Sequence, residues 1–287
     1  MRDGALVALP GGCWLDGTCH REAAMRPLTG DDEAWLLEAG TMLPAERSTA
    51  LLARCLTRLG PSTTVTPELA RSLTLGDREA LLLQLRRLTF GDDLACTVTC
   101  PSLTCGERLE LPLRVGDLLL PPYPPQPRRH QRTWTSGGIA VQVRFHLATG
   151  ADQEAAAATA AAGDPVAGAS LLLRRCVEEL DPPARPSETL PEDLLAWLDA
   201  TMAELDPQAE LRLNVRCARC GLEFSTVLDA GGCLYEEVGL HAHHLYQGIH
   251  LLALHYHWGM GELMSMTARE RTRYLGLLEE ALAGAGH

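Results

Sequence analysis

Lysine is absent from the sequence, so all 25 basic residues are arginine. Because Walker-type phosphate binding, Schiff-base formation and pyridoxal chemistry each need a lysine amine, the sequence excludes these three kinds of site. The 37 acidic residues give a formal net charge of -12 at pH 7. Surfaces that bind nucleic acid or anionic membranes carry clustered positive charge, so we expect neither as the main partner.

Long apolar runs are also missing, and none reaches the roughly 20 residues that a membrane helix needs. The start of the chain lacks the basic and apolar segments of a signal peptide, and we therefore expect a cytoplasmic protein. In that compartment, ten cysteines favour metal ligation and core packing over a disulfide framework. With 287 residues, of which 46% are hydrophobic and 22% charged, the chain has room for about two domains with buried cores.

Motifs of the common enzyme classes are absent as well. The sequence has no nucleophile elbow, no glycine-rich phosphate loop and no deaminase-type zinc motif. The acidic run Asp31-Asp32-Glu33 is best explained as first-turn charge that complements a helix dipole. We therefore expect a protein that is not an enzyme.

Several segments of the first half recur in the second half at an offset of about 120 residues. A Thr-Gly turn, a cysteine in an apolar helical stretch, and an alternating strand that ends in cysteine all appear twice in the same order. Each of the two strands is followed by Cys-Gly and by a second alternating strand. The matched residues are Thr29 with Thr149, Cys55 with Cys176, Cys100 with Cys217 and Cys105 with Cys220. The sequence thus predicts two duplicated modules, each made of helices and a cysteine-tipped β-hairpin.

The two hairpin tips predict a zinc ribbon, because tetrahedral zinc takes two thiolates from each of two tight turns. Cys217 and Cys220 have the usual two intervening residues, whereas Cys100 and Cys105 have four. If the two modules pair about a pseudo-twofold axis, these four cysteines complete one site, and we predict one zinc per chain. Four protein ligands leave no position for water, so the predicted zinc is structural and holds the modules together.

The remaining cysteines are not expected to bind metal. Cys96 aligns with Leu213 on the inward side of its strand and is predicted to pack in the core, as are the two helical cysteines. Cys13, Cys19 and Cys233 have no matched partner, and we expect a surface or core position without chemistry for them.

The overall prediction is an α+β fold of two duplicated modules that meet at a split zinc ribbon, followed by a C-terminal helical hairpin. A proline-dense stretch between the modules is predicted to be an extended, stiff spacer, with a docking segment for a partner as the alternative. The predicted domains are 1–119 (first module), 120–127 (linker), 128–233 (second module) and 234–287 (helical hairpin). Helices are predicted over 31–60 and 67–88 in the first module and over 152–162, 166–180 and 191–205 in the second.

The stretch 241–257 of the C-terminal region contains six histidines: His241, His243, His244, His250, His255 and His257. Their spacing does not match a metalloprotease pair, and we favour a helix face that packs on another subunit. His250, His257 and Trp258 are the predicted partner-binding residues, because an aromatic anchor among adaptable polar groups suits an interface.

Four segments together resemble a known family. They are Leu75-Gly76-Asp77-Arg78-Glu79, the run from Leu82 to Asp92, Cys100-Pro101 and Cys105-Gly106. The combination resembles the baseplate hub assembly chaperones of T-even-type phages and their relatives in contractile injection systems, and Tyr256-His257-Trp258 in the tail is similar to that family's closing helices. The resemblance covers most of the chain.

The resemblance implies a non-enzymatic factor that helps to assemble the hub or wedge-facing parts of a contractile tail baseplate. It implies hub or other tail proteins as partners, synthesis in the bacterial cytoplasm, and no catalytic residues. It leaves open which component is bound, whether the protein stays in the finished particle, and its oligomeric state.

Two alternatives belong to other classes. A zinc-ribbon protein that binds nucleic acid is suggested by Arg212, Arg216 and Arg219 around the second knuckle, against the negative net charge. A metal-dependent enzyme that uses the histidine cluster would require a second metal per chain.

Overall fold

The computed structural model describes residues 4–181 and 190–284. Its architecture is α+β, as the sequence predicts. The strands are β1 Ala5–Leu15, β2 Thr18–Met25, β3 Leu56–Leu59, β4 Asp93–Thr99, β5 Arg108–Arg114, β6 His130–Ser136, β7 Ile139–Phe145, β8 Val177–Asp181, β9 Arg212–Arg216 and β10 Glu223–Val227. The helices are α1 Gly30–Glu38, α2 Pro44–Cys55, α3 Pro67–Arg71, α4 Leu75–Phe90, α5 Val115–Leu118, α6 Gly150–Ala161, α7 Pro165–Cys176, α8 Glu192–Leu205, α9 Ala230–Tyr256, α10 Met260–Met264 and α11 Ala268–Gly284.

Two three-stranded antiparallel sheets have the same order, β1-β2-β3 and β6-β7-β8. In each sheet the third strand follows a helix that ends in a fully buried cysteine, Cys55 or Cys176. The predicted helices over 31–60 and 166–180 are therefore too long, because their last residues form strands β3 and β8. The first of them is also divided, into α1 and α2. A short apolar run fits a helix or a strand equally well. Here the run after each cysteine becomes a strand because it pairs with the free edge of β2 or β7.

The predicted helix over 67–88 is divided in two. Thr66 caps α3 by accepting a hydrogen bond from the amide of Leu69, as its position before Pro67 predicts. Thr74 then caps a new helix by accepting from the amide of Asp77. A hydroxyl that accepts these amide hydrogen bonds satisfies donors that have no partner inside the helix.

Three clusters of buried apolar residues form the core. The largest lies under the first sheet, includes Leu9, Leu52 and Leu81, and extends to Leu234 and Val238 in α9. The second lies between the second sheet and helices α7 and α8, around Phe145 and Leu198. The third lies between α9, α10 and α11, around Leu252 and Leu263. The C-terminal helices thus pack both on the first module and on each other.

Two helix pairs in different parts of the chain make the same contact. In α3–α4 the connecting residues are Ser72-Leu73-Thr74, and in α10–α11 they are Ser265-Met266-Thr267. The carbonyl of Leu73 accepts from the amide of Gly150 at 3.1 Å, and the carbonyl of Met266 accepts from the amide of Gly30 at 2.9 Å. Each connection therefore pairs with the Thr-Gly turn of the other half of the chain.

A buried arginine completes each of these contacts. Arg78 and Arg271 are 2% and 5% exposed. A methyl group on Gly150 would lie 2.6 Å from Cζ of Arg78, and one on Gly30 would lie 3.2 Å from Nη1 of Arg271. Only glycine lets the guanidinium approach the turn this closely, which explains why the same residue occupies both turns.

The proline-dense segment is extended, and it lies against the first module. The indole Nε1 of Trp14 donates to the carbonyl of Gln126 at 2.7 Å, and the amide of Tyr123 donates to the carbonyl of Pro10 at 3.1 Å. The hydroxyl of Tyr123 donates to Asp206, near the end of α8. These hydrogen bonds fix the segment at several points, and the division of the chain into domains stays a prediction.

None of the described helices combines the length and the apolar character needed to cross a membrane.

Candidate metal centre

The two cysteine-tipped hairpins, β4–β5 and β9–β10, place their tips next to each other. Cys100 follows β4 and Cys217 follows β9, and their amides donate across the hairpins to Glu107 and Leu222, each at 2.8 Å. Both hairpins therefore continue their hydrogen bonding up to the first cysteine of the pair.

A glycine follows the second cysteine of each pair and reverses the chain. Gly106 has a φ of 59° and Gly221 has a φ of 75°, which glycine adopts without the steric cost that other residues have. The longer first tip closes with a turn in which the amides of Cys105 and Gly106 both donate to the carbonyl of Ser102.

The four predicted sulfur atoms converge. All of them lie within 4.8 Å of one another, with Sγ–Sγ distances of 3.6 Å between Cys100 and Cys220 and 3.8 Å between Cys105 and Cys217. A tetrahedral zinc with Zn–S bonds of about 2.3 Å separates its sulfurs by about 3.8 Å. Both short contacts link one hairpin with the other, so an ion here would be shared by the two hairpins.

The pKa values in the cluster reflect the close approach of its thiols. The backbone amide of Cys220 is the largest influence on the pKa of Cys217 and lowers it to about 7. At Cys100, the amide of Ser102 lowers the pKa, but desolvation and the three neighbouring thiols together raise it to about 12. Four thiolates at this distance repel one another, and a divalent cation removes that repulsion.

The cluster lies close to the surface. Cys100 and Cys217 are buried, whereas Cys220 is exposed. Beside it, Arg219 of one hairpin pairs with Glu107 of the other at 3.0 Å. Each cysteine offers one sulfur, so the donor set is four thiolates, which is typical of closed structural zinc sites.

A second group of possible ligands, His146, Asp152 and Cys176, is less suited to a metal. Asp152 accepts from the amide and hydroxyl of Thr149, and it lies 3.1 Å from both Nε2 of His146 and Nε of Arg175. Its oxygens are therefore already satisfied, and the positive charge of Arg175 would oppose a cation. This group is better described as a structural network.

The predicted partner-binding residues lie around the end of α9. His250 and His257 are exposed. Trp258 is half-buried and packs on other aromatic rings, stacked on Tyr256 at 4.7 Å and edge-on to Tyr274 at 5.0 Å. The structure also shows that His241 stacks on Phe90 at 5.2 Å. Trp258 thus anchors the turn between α9 and α10.

Two polar features were not predicted from the sequence. The Sγ atoms of Cys96 and Cys233 lie 3.8 Å apart. The carboxylate of Asp77 is fully buried, its Oδ1 accepts from the amides of Gly11 and Gly12, and desolvation raises its pKa to about 6. Both features join parts of the chain that are far apart in sequence, and no local pattern could have indicated them.

The sequence model of a protein family matches residues 17–231, which is more than half of the chain. Its description is T4 bacteriophage base plate protein. The chain belongs to this family. Membership in the baseplate family confirms the predicted resemblance at the level of a phage baseplate protein, and it implies contacts with other tail proteins. The matched residues include both cysteine-tipped hairpins. No curated protein and no solved structure matches the chain.

Proposed function

We propose that this baseplate-family protein is a non-enzymatic assembly chaperone or adaptor for the baseplate hub of a phage-like contractile tail or injection system. One structural zinc holds its two halves together. The observation that carries the proposal is the convergence of four thiols from two matching hairpins in a chain of the baseplate family. A metal site that links the two halves and has no open coordination position suits a protein that presents surfaces to partners.

The zinc is bound by Cys100, Cys105, Cys217 and Cys220, one ion per chain. The inter-hairpin sulfur distances of 3.6 and 3.8 Å match a four-thiolate site. Because each hairpin gives only two ligands, neither half binds the ion tightly by itself, and metal binding is coupled to the pairing of the halves.

The two halves are duplicated modules. Support comes from the equal order of their sheets, the matching hairpins, and the capping networks of Asp32 and Asp152, each of which joins a Thr-Gly turn to an arginine of the following helix. The crossed contacts of α3–α4 and α10–α11 also fit a pseudo-twofold arrangement, since each Thr-Gly turn receives its helix pair from the other half.

The partner surface lies on the C-terminal helices. Leu240, Leu251 and Leu254 are 78%, 42% and 57% exposed. Their helical spacing places them on one stripe of α9, opposite the face that carries Leu245 and Leu252, and exposed apolar patches of this kind mark interaction sites. The predicted partner-binding residue His250 lies beside the stripe. We propose a tail protein of the same particle as the occupant, with assembly taking place in the bacterial cytoplasm.

The partner surface can be tested with Leu251→Glu combined with Leu254→Glu. Two charges at the C-terminal end of the stripe should abolish co-purification with the hub and tail proteins when the whole tail gene cluster is expressed, because buried unpaired charges oppose association. Ile139→Glu, at a 64% exposed residue of the second sheet, is the matched control and should leave capture unchanged. Equal capture by both variants would reject this surface.

The zinc can be tested by elemental analysis of the purified chain. We expect one zinc per chain in the wild type, loss of zinc in Cys217→Ser, and full occupancy in Cys19→Ser, whose cysteine lies in β2 outside the cluster. Two zinc ions per chain would instead support an additional site, and a zinc-free wild type would remove this metal site from the proposal.

The nucleic-acid alternative has weaker support. Arg212 pairs with Glu210 at 2.6 Å and Arg219 pairs with Glu107 at 3.0 Å. Two of the three arginines in the second hairpin therefore have acidic partners, which reduces their attraction for phosphate.

A further inference from the structure

A second pair of cysteines lies outside the metal centre. Cys96 is in the middle of β4, and Cys233 is in the first turn of α9. Their Sγ atoms are 3.8 Å apart although the residues are 137 positions apart in sequence. The contact joins the hairpin that carries Cys100 and Cys105 to the helix that carries the proposed partner surface.

The pair cannot complete a closed metal site of its own. Among the described residues, the groups of three or more potential ligands that come together do not include Cys96 or Cys233. Two thiols without further ligands are a poor zinc site, since zinc in structural sites takes four. Their proximity therefore needs a different chemical explanation.

The contact is specific to one half of the molecule. The residue that aligns with Cys96 in the second hairpin is Leu213, so the second hairpin has no counterpart of this pair. Cys55 and Cys176 are fully buried, whereas Cys96 and Cys233 are half-buried. A half-buried thiol can be reached by a small reagent, and a fully buried one cannot.

We propose that Cys96 and Cys233 form a redox modification site that closes to an intramolecular disulfide when it meets a low-molecular-weight disulfide such as oxidised glutathione. The Sγ atoms need to approach each other by less than 2 Å to reach bonding distance. Side-chain rotation in the first turn of a helix and on a two-stranded hairpin can supply such a movement.

The local environment indicates which of the two cysteines reacts first. The contact with the Cys233 thiol lowers the pKa of Cys96 to about 7, while the same contact, burial, Asp229 and Glu236 raise the pKa of Cys233. Cys96 is therefore the thiolate that attacks, because the thiolate is the nucleophilic form.

The reaction balances without any other reagent. The Cys96 thiolate attacks one sulfur of oxidised glutathione, forms a mixed disulfide and releases one reduced glutathione. Cys233 then loses its proton, attacks Sγ of Cys96 and releases the second glutathione. Two protein thiols are oxidised and one glutathione disulfide is reduced to two thiols.

The disulfide would fix the first hairpin to α9 and close a loop of 137 residues. Closing a long loop restricts the unfolded chain, so the oxidised form should be the more stable one. This inference concerns a site separate from the zinc ligands and does not depend on the proposed function.

The test uses full-length, zinc-loaded protein equilibrated in glutathione buffers of increasing oxidation, followed by alkylation of free thiols. Cleavage before Asp229 separates Cys233 from Cys220, so the linked peptides can be identified by tandem mass spectrometry. We expect the Cys96–Cys233 link with zinc content unchanged, and a rise in Tm that is reversed by reduction.

Variants separate the two steps. Cys233→Ser should stop at the mixed disulfide and carry one glutathione on Cys96, Cys96→Ser should form no link, and Cys19→Ser should behave like the wild type. Alkylation of both thiols in the oxidised wild type, or a dominant link from either cysteine to a zinc ligand, would overturn the inference.

Discussion

Asp32 and Asp152 occupy equivalent positions in the two halves, but their basic neighbours differ. Asp32 pairs with Arg26 and with Arg54, and Asp152 pairs with His146 and Arg175. Desolvation raises the pKa of Asp152, but hydrogen bonds from His146 and Thr149 outweigh it and lower the pKa to about 2. Where the first half has an arginine that is always charged, the second half has a histidine that titrates near neutral pH.

The histidine makes the stability of the second half dependent on pH. The hydrogen bond to Asp152 raises the pKa of His146 above its usual 6.5. The stability that results from this raised pKa is fully present below pH 6.5. It is lost as the pH rises through the pKa that His146 has in the folded protein. His146→Arg copies Arg26 and should remove that loss.

Urea unfolding at pH 6 and pH 9 measures the effect. We expect the variant to gain stability relative to the wild type between the two pH values, because only the wild type loses the contribution of a charged His146. His255→Arg, at an exposed position of α9, should follow the wild-type dependence. A difference between His146→Arg and the wild type that does not change with pH would contradict the prediction.

The helix pairs α3–α4 and α10–α11 share one structural motif. Each has a short helix, a Ser-apolar-Thr connection and a long helix that begins with an acidic residue and an arginine in its first turn. The buried ion pair between Arg271 and Glu33, at 2.6 Å, fastens the second of them to α1. The C-terminal helices are thus bound to the first module by polar contacts as well as by apolar packing.

The close approach at the Thr-Gly turn predicts the effect of a single methyl group. Gly150→Ala should lower the free energy of unfolding by about 2 kcal/mol, because the added carbon overlaps with the buried guanidinium of Arg78. Gly276→Ala in α11 is the matched control, since a methyl group there meets no atom within 4 Å. It should leave stability unchanged or raise it by about 0.5 kcal/mol, because alanine favours the helix. Equal stabilities of the two variants in denaturant titrations would refute the overlap.

At the scale of the whole molecule, the contacts that join the two halves include the following three. The hairpin tips meet at the thiol cluster, the helix pairs cross between the Thr-Gly turns, and the linker connects both halves through Tyr123 and Asp206. The crossed helices and the linker do not involve the thiol cluster. If the cluster holds the proposed zinc, its loss should loosen the hairpins before it separates the halves.

Chelation tests this order. With excess EDTA, trypsin should cut first at Arg216 and Arg219, next to the second hairpin tip, while the sites in α11 stay protected. Lower pH should have the same effect as chelation, because protons compete with zinc for the thiolates. The control is EDTA already saturated with zinc, which should not increase cleavage. Simultaneous cleavage of α11 and the hairpins would show that the metal holds the entire fold.

Elements with local signals were predictable from the sequence. The caps at Thr66 and Thr267 and the alternating strands of both hairpins lie where the residues place them. The sequence instead predicts strands β3 and β8 as the ends of helices, because the residues after Cys55 and Cys176 fit either structure until a neighbouring strand is present. The baseplate family was also recognisable, since its motifs are short segments whose residues are adjacent in the chain.

By itself, the sequence determined which residues could bind a metal, because cysteine pairs at turn spacing are a local property of each hairpin. Only the tertiary structure decided that the four sulfurs meet, that Cys96 lies beside Cys233, and that each Thr-Gly turn receives a helix pair from the other half. These contacts join residues more than 100 positions apart. Packing of the cores sets such contacts, and packing depends on the whole chain and not on any one segment of it.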